Sequence, residues 1–226
     1  MTQVRYEPTD PRLGRHVAHD ERSRSFPLTG AFIPSKPIDW HRDDADVFDQ
    51  GDLGCCTAAA ALGLLVTAPY KRPGRIFNIA DIHGVYRDAT AIDPFPGTWP
   101  PDDTGSNGLA AMKVLRKRGW TTGYRWAFSP AVALAALAHG PIAVGTVWLD
   151  SMFTVRRGLV VIDRKSPVAG GHEWVADGWD PRFRRVRMTN SWGTGWGDGG
   201  RAWLRYTDFA WLLNQQGDVV QPILAP

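Results

Sequence analysis

The apolar pattern of this 226-residue chain changes period near Gly140. Ahead of that glycine, apolar residues recur at helical spacing; after it they come in short runs of strand type. "CTAAAALGLLVT", from Cys56 to Thr67, places Ala58, Leu62 and Leu65 on one stripe, and Pro69 stops it. Further helices are predicted over 78–89 and 108–118, the latter with Leu109, Met112 and Leu115 facing inward. In "SPAVALAALAHG", Ser129 is the N-cap, Pro130 the first helical residue and Gly140 the stop. "PIAVGTVW", "GLVVI", "HEWVADGW", "RRVRMTN" and "RAWLRY" then read as strands. The expected architecture is α+β and two-lobed, mainly helical over about 37–128 and mainly strand over about 129–226. A cleft between the lobes is the natural place for a site. Residues 1–36 are charged, rich in Arg and Pro and without period, and are expected to form an extended arm.

Composition excludes several classes. A hydrophobic share of 43% with 22% charged residues is that of a globular chain able to bury a core. No stretch is long and apolar enough to span a bilayer, so no membrane partner is expected. The first residues hold no apolar run of signal-peptide type. This predicts a cytoplasmic protein, with a virion-associated role as the alternative. Net charge is only +3, and the one arginine cluster, "RFRRVR", alternates with apolar residues as a half-exposed strand does. No nucleic-acid partner is expected from it. His16 and His19 sit in the polar arm and are not read as metal ligands. Gly195, Gly197 and Gly200 spell G-x-G-x-x-G, but a strand-like "RAWLRY" follows where a dinucleotide site needs a helix.

Both cysteines lie side by side, Cys55 and Cys56, in "DQGDLGCCTAAA". Neighbours in sequence cannot staple a fold, so a reducing compartment and a chemical role are the readings to weigh. A thiol near pKa 8.5 is a poor nucleophile at neutrality. A helix N-terminus and a nearby histidine can together lower it, and Cys56 stands at a predicted helix start. His172 follows two glycines at the head of a strand-like run, and Asn190 comes 18 residues later in "TNSWGTGWGDGG".

The order Cys, His, Asn, with the asparagine in an N-S-W-G-T-G-W-G run, resembles the papain-like cysteine peptidases, and the likeness covers roughly residues 37–206. The resemblance implies that Cys56 is the nucleophile, since Gln50 lies six residues before it and Gly51 and Gly54 fall on the motif's glycines. Cys55 then occupies a position usually held by Ser or Ala. His172 would be the general base, Asn190 its orienting partner, and Trp192 the shield over their hydrogen bond. Gln50 would supply an oxyanion donor together with the Cys56 backbone N–H. "GSNGL" stands where the family has a "GCNGG"-like loop, so Gly105, Ser106, Asn107 and Gly108, with Trp192, are the expected substrate-binding residues.

Leu53 and Ser106 replace the two halves of a disulfide that the plant and animal enzymes carry, which agrees with a reducing setting. Thr57 after the nucleophile has the flavour of bacterial and phage members. The resemblance implies peptide-bond hydrolysis through an acyl-enzyme, with a protein or peptide substrate and no metal or cofactor. A thiol amidase or acyltransferase acting on cell-wall or isopeptide bonds would use the same residues. A non-catalytic interaction protein on the same scaffold is the third reading. About 30 residues at the start exceed what the core needs, far fewer than the family's folded prosegments. They are read either as an arm packed along a lobe or as a removable cover for the cleft.

Overall fold

The computed structural model describes residues 2–224, and its central element is helix α1 (Cys56–Leu65), all ten residues of which are buried. Alanines give this helix a narrow cross-section and high propensity, and it has no polar face to turn to water. Such a helix must run between two apolar layers. The buried Arg42 holds its carboxyl end, donating to the Gly63 carbonyl and the Thr67 hydroxyl at 2.7 Å each. Helices α2 (Ile79–Thr90) and α3 (Gly108–Lys117) pack on α1 to complete one layer. A reciprocal cap between Asn78 and Asp81 starts α2, and the Asn107 side chain accepts from the Ala110 N–H to start α3.

The strands are β1 (Thr2–Val4), β2 (Val17–His19), β3 (Ile38–Asp39), β4 (Gly123–Ala127), β5 (Ile142–Leu149), β6 (Val155–Arg156), β7 (Leu159–Val160), β8 (Val168–Asp180), β9 (Arg185–Thr189), β10 (Arg201–Arg205) and β11 (Asp218–Ile223). Nine of them form one sheet in the order β4-β11-β5-β8-β9-β10-β7-β6, with β3 added to β8. The pairings are antiparallel except that of β10 with β7. The α+β, two-lobed arrangement stands; the resemblance to papain-like peptidases implies an antiparallel, β-barrel-like C-terminal lobe, and its strands form an open, largely antiparallel sheet. Its strands β3 and β4 come from the segment expected to be mainly helical.

The sheet separates two cores. One face packs Ala143, Val175 and Val220 against α1, α2 and α3. The other carries Trp148, Trp174 and Trp179, closed by α4 (Pro130–Leu137) and α5 (Tyr206–Leu213). Burial on both faces explains why β5 reads as a nearly continuous apolar run, and β8, equally buried, carries His172, Glu173 and Asp177 inside the protein. The "RFRRVR" arginines are internally matched: Arg187 pairs with Asp177 and Asp39, and Arg185 with Asp180 while lying 4.4 Å from the Trp203 ring centre. Gly200 is followed directly by strand β10. Among the described residues, no helix is long and apolar enough to cross a membrane.

The arm is ordered by pairing rather than by periodicity. Strands β1 and β2 form an antiparallel pair, and residues between them cross the junction of the layers. Further along, Leu28 donates to the Trp126 carbonyl, and the Trp179 indole donates to the Pro34 carbonyl. The arm therefore touches both lobes.

Gly63 sits where α1 crosses β8. A Cβ there would lie 3.0 Å from Val175 Cγ2 and 3.1 Å from an Arg42 guanidinium nitrogen. Gly63→Leu is expected to lose about 1–3 kcal/mol by overpacking, despite the better helix propensity of leucine. Urea unfolding checks this; a stabilised variant would mean the crossing is looser than drawn.

Candidate active site

Cys56 is the first residue of α1, so its side chain lies at the positive end of the helix. The preceding loop is tied down from outside: Asp103 accepts the Gly54 N–H at 2.7 Å and also the Tyr86 hydroxyl. Cys55 is the N-cap and is buried in the helical core. On the opposing layer, His172 lies in β8, facing Thr146 of β5. Its Nε2 meets Asn190 Oδ1 at 2.7 Å, and Asn190 immediately follows β9. Because β8 and β9 are paired, the 18-residue separation in sequence closes to a hydrogen bond. His172 Nδ1 is buried without a hydrogen-bond partner.

Trp192 covers that pair. Its ring centre is 4.8 Å from the His172 ring, and Trp148 stands edge-on to both, at 4.9 Å from His172 and 5.1 Å from Trp192. Gln50 is buried: its Oε1 accepts from Ser191 Oγ at 2.6 Å, and its Nε2 donates to the Leu53 carbonyl at 2.6 Å. The same amide reaches the Arg12 carbonyl of the arm at 3.1 Å.

The arm is the feature that the motifs did not place. Arg15 N–H donates to the Gly171 carbonyl at 3.0 Å, His16 N–H to the Ser106 carbonyl at 2.7 Å, and Ser106 N–H to the Gly14 carbonyl at 2.8 Å. Gly14, Arg15 and His16 are thus held between Gly171, just before His172 in β8, and the loop before α3. Gly14 passes directly over the loop that leads into Cys56: a Cβ on it would lie 1.8 Å from the Gly54 carbonyl oxygen. Only glycine fits there. The Arg12 guanidinium lies 4.3 Å from the Trp192 ring centre and closes the other end. Cys56 and His172 are both fully buried beneath this strap.

Burial sets the protonation of the pair. It pushes the Cys56 thiol up to about 12, with the charge of Glu173 adding to the effect and the Glu173 and Gly14 backbone amides opposing it. It pulls His172 down to about 4, against the Asn190 hydrogen bond and with the Arg12 charge contributing. In the strapped chain both groups are neutral at pH 7.

Of the residues expected at the loop, Gly105 and Ser106 touch the arm, with Gly105 at φ +68° and close to the Gly14 carbonyl and the His16 ring. Ser106 Oγ donates to Asp93 at 2.7 Å. Asn107 is spent on capping α3. Gly108 opens that helix against the Glu173 carboxylate. Gly14, Arg15, Glu173 and Asp218 were not singled out by sequence reasoning. The charged glutamate directly after His172, between it and the apolar Trp174–Ala176, is the signal that could have found one of them. Among the described residues, no cluster of His, Cys, Asp or Glu could hold a metal ion.

The sequence matches no family model and no curated protein. Solved structures do match. Xylellain, a cysteine protease from Xylella fastidiosa, is 18% identical over 99% of this chain and 100% of its own, with a TM-score of 0.75. Digestive procathepsin L 3 of Tenebrio molitor larval midgut is 18% identical over 88% of this chain and 73% of its own, with a TM-score of 0.66. Bromelain from Ananas comosus, in complex with the E64 inhibitor, is 15% identical over 85% of this chain and 100% of its own, with a TM-score of 0.59. The chain has the papain-like fold of these cysteine proteases.

Proposed function

We propose that the protein is a cysteine-type peptidase that hydrolyses peptide bonds through Cys56, and that the structure is its resting, strapped form. The observation that carries this reading is the sealed His172–Asn190 pair, on β8 and just after β9, with α1, which begins at Cys56, packed against β8.

With the arm displaced, water and substrate reach the pair and the burial that keeps both groups neutral is relieved. Nδ1 of His172 then takes the Cys56 proton, while Asn190 holds Nε2 and so the ring's orientation. The thiolate attacks the peptide carbonyl, and the C–N bond breaks as His172 returns the proton to the leaving amine. Water, deprotonated by His172, hydrolyses the thioester. In this reading the Gln50 amide and the Cys56 N–H would donate to the oxyanion; losing one such donor costs about 3–4 kcal/mol of transition-state stabilisation. In the resting chain the Arg12 carbonyl takes up the Gln50 donor, as a substrate carbonyl would.

Cys56→Ala is expected to abolish hydrolysis of a fluorogenic peptide and labelling by a thiol-reactive peptide electrophile, whereas Cys55→Ala retains both. The reverse result would move the nucleophile to Cys55 and break the register with Gln50.

The strap makes a separate prediction. Gly14→Leu cannot lie against Gly54, so its Cys56 should react with iodoacetamide at least about 10-fold faster than that of the unaltered chain, corresponding to about 1.4 kcal/mol of lost docking. Equal rates, read by mass spectrometry of the Cys56 peptide, would show that the arm does not guard the thiol.

His172 lies below its ordinary value near 6.5 because burial disfavours the imidazolium. Its contribution to the strapped form is therefore complete above about pH 6.5 and is lost as pH falls towards about 4, up to about 3 kcal/mol. His16 and His19, also lowered by burial, act in the same direction, while the raised Glu173 acts in the opposite one. NMR titration of the His172 ring should give its inflection near pH 4; one near 6.5 would mean that the ring is open to solvent at rest.

A further inference from the structure

Arg15 does something the strap does not require. A backbone strap needs only the pairing with Gly171 and Ser106, yet the Arg15 side chain turns inward and is fully buried. Its Nη2 meets Asp218 Oδ2 at 2.8 Å and the Gln216 carbonyl at 2.9 Å. The Glu173 carboxyl, raised by burial and not hydrogen-bonded to the guanidinium, is drawn towards its charged form by Arg15, and the Tyr6 hydroxyl also faces the arginine. His19 Nε2 lies 3.8 Å from the same Asp218 oxygen.

The sheet builds this pocket. Gly145 of β5 pairs with Glu173 of β8 on one side and with Asp218 of β11 on the other. Directly opposed residues project to one face, so the two carboxylates flank a glycine. That glycine is the floor: a Cβ on Gly145 would lie 2.2 Å from Arg15 Nε and 2.4 Å from Asp218 Oδ1. At the rim, a Cβ on Gly108 would lie 2.7 Å from Glu173 Oε1. Glycines at both places leave a slot for a flat cation between two acids. Glu173 Oε2 and the Arg15 Nε and Nη1 atoms are buried without hydrogen-bond partners, so the arm's own arginine fills the slot without saturating it.

We propose that the slot formed by Glu173, Gly145 and Asp218 is a guanidinium-recognition subsite, which selects peptides carrying arginine there and which Arg15 occupies while the arm is docked. This rests on the peptidase reading for its substrate. Glu173 adjoins His172 in sequence, and Arg15 adjoins the Gly14 that lies over the nucleophile loop, so a peptide taking the arm's place passes the slot on its way past the thiol. Once vacated, the slot presents two carboxylates to solvent and disfavours a neutral or acidic side chain. A planar fork that bonds along two edges suits it better than a compact ammonium.

Two readouts on the full chain test the proposal. Arg15→Ala leaves the slot empty; N-ethylguanidinium at millimolar concentration should raise its melting temperature, whereas N-propylurea should not, and adding Glu173→Gln and Asp218→Asn should abolish the rise. In parallel, Gly14→Leu is assayed on matched peptide sets with arginine or its neutral isostere citrulline at each position. Arginine at one position should raise kcat/KM by about 100-fold or more, and the Glu173→Gln, Asp218→Asn pair should erase the difference. Failure of the guanidinium rescue overturns the slot whatever the activity. Rescue together with equal turnover of arginine and citrulline peptides overturns its role in selection. Rescue with no turnover of any peptide and no labelling of Cys56 instead refutes the peptidase reading and leaves guanidinium recognition standing.

Discussion

The packing of α1 against β8 is the contact on which the rest of the structure depends. A helix of alanine and leucine with no polar side can exist only where both neighbours are apolar, and here those neighbours are the helical layer and the buried strands β5 and β8. That one burial requirement places a helix N-terminus, where Cys56 stands, beside the strand that carries His172. Gly63 permits the close crossing, and Arg42 and the Thr67 hydroxyl both donate to its carbonyl. The site is thus a by-product of the way the two layers must meet.

In the peptidase reading proposed above, the arm holds this arrangement quiescent by excluding water from Cys56 and His172, both fully buried beneath it. A thiolate–imidazolium pair is stabilised by solvent and by aligned donors, and sealing the cleft removes the first. Backbone pairing to Gly171 and Ser106 holds the seal, and the Arg12 guanidinium over Trp192 extends it above the His172–Asn190 hydrogen bond. Neutral cysteine and neutral histidine follow from burial alone; no movement of either residue is needed to silence them.

Much of this was legible in the sequence because it is local. The starts of α2, α3 and α4 are marked by Asn78, Asn107 and Ser129, whose side chains cap the helices they precede. Asn190 and Trp192 stand in a glycine-rich run whose spacing is itself the signal. Of the residues that the motif order points to, His172 and Asn190 are joined directly, and Gln50 is tied to Ser191 next to that asparagine. What sequence could not carry is pairing between distant segments. Strands β4 and β11 have ordinary patterns and become recognisable only when paired with each other. Helix α5 is split from its strand by no turn residue, since Arg205 leads directly from β10 into Tyr206. The arm has no period because its partners alternate between two lobes, so each residue meets a different environment. Asp218 and Glu173 are 45 residues apart and meet only through Gly145.

Two consecutive arm residues answer two unlike demands, and this makes the cover specific. At Gly14 the demand is for absence: the Gly54 carbonyl leaves no volume for any side chain. At Arg15 it is for charge: the partly buried Asp218 and fully buried Glu173 without a cation would cost several kcal/mol of desolvation. A random polar segment meets neither condition, and a peptide with only one of them would dock with either a clash or an unpaired acid. The sheet imposes both conditions from one row, because the glycine that seats the guanidinium sits between the two acids that attract it. Cover and cleft are therefore matched by shape at the thiol and by electrostatics one residue further on.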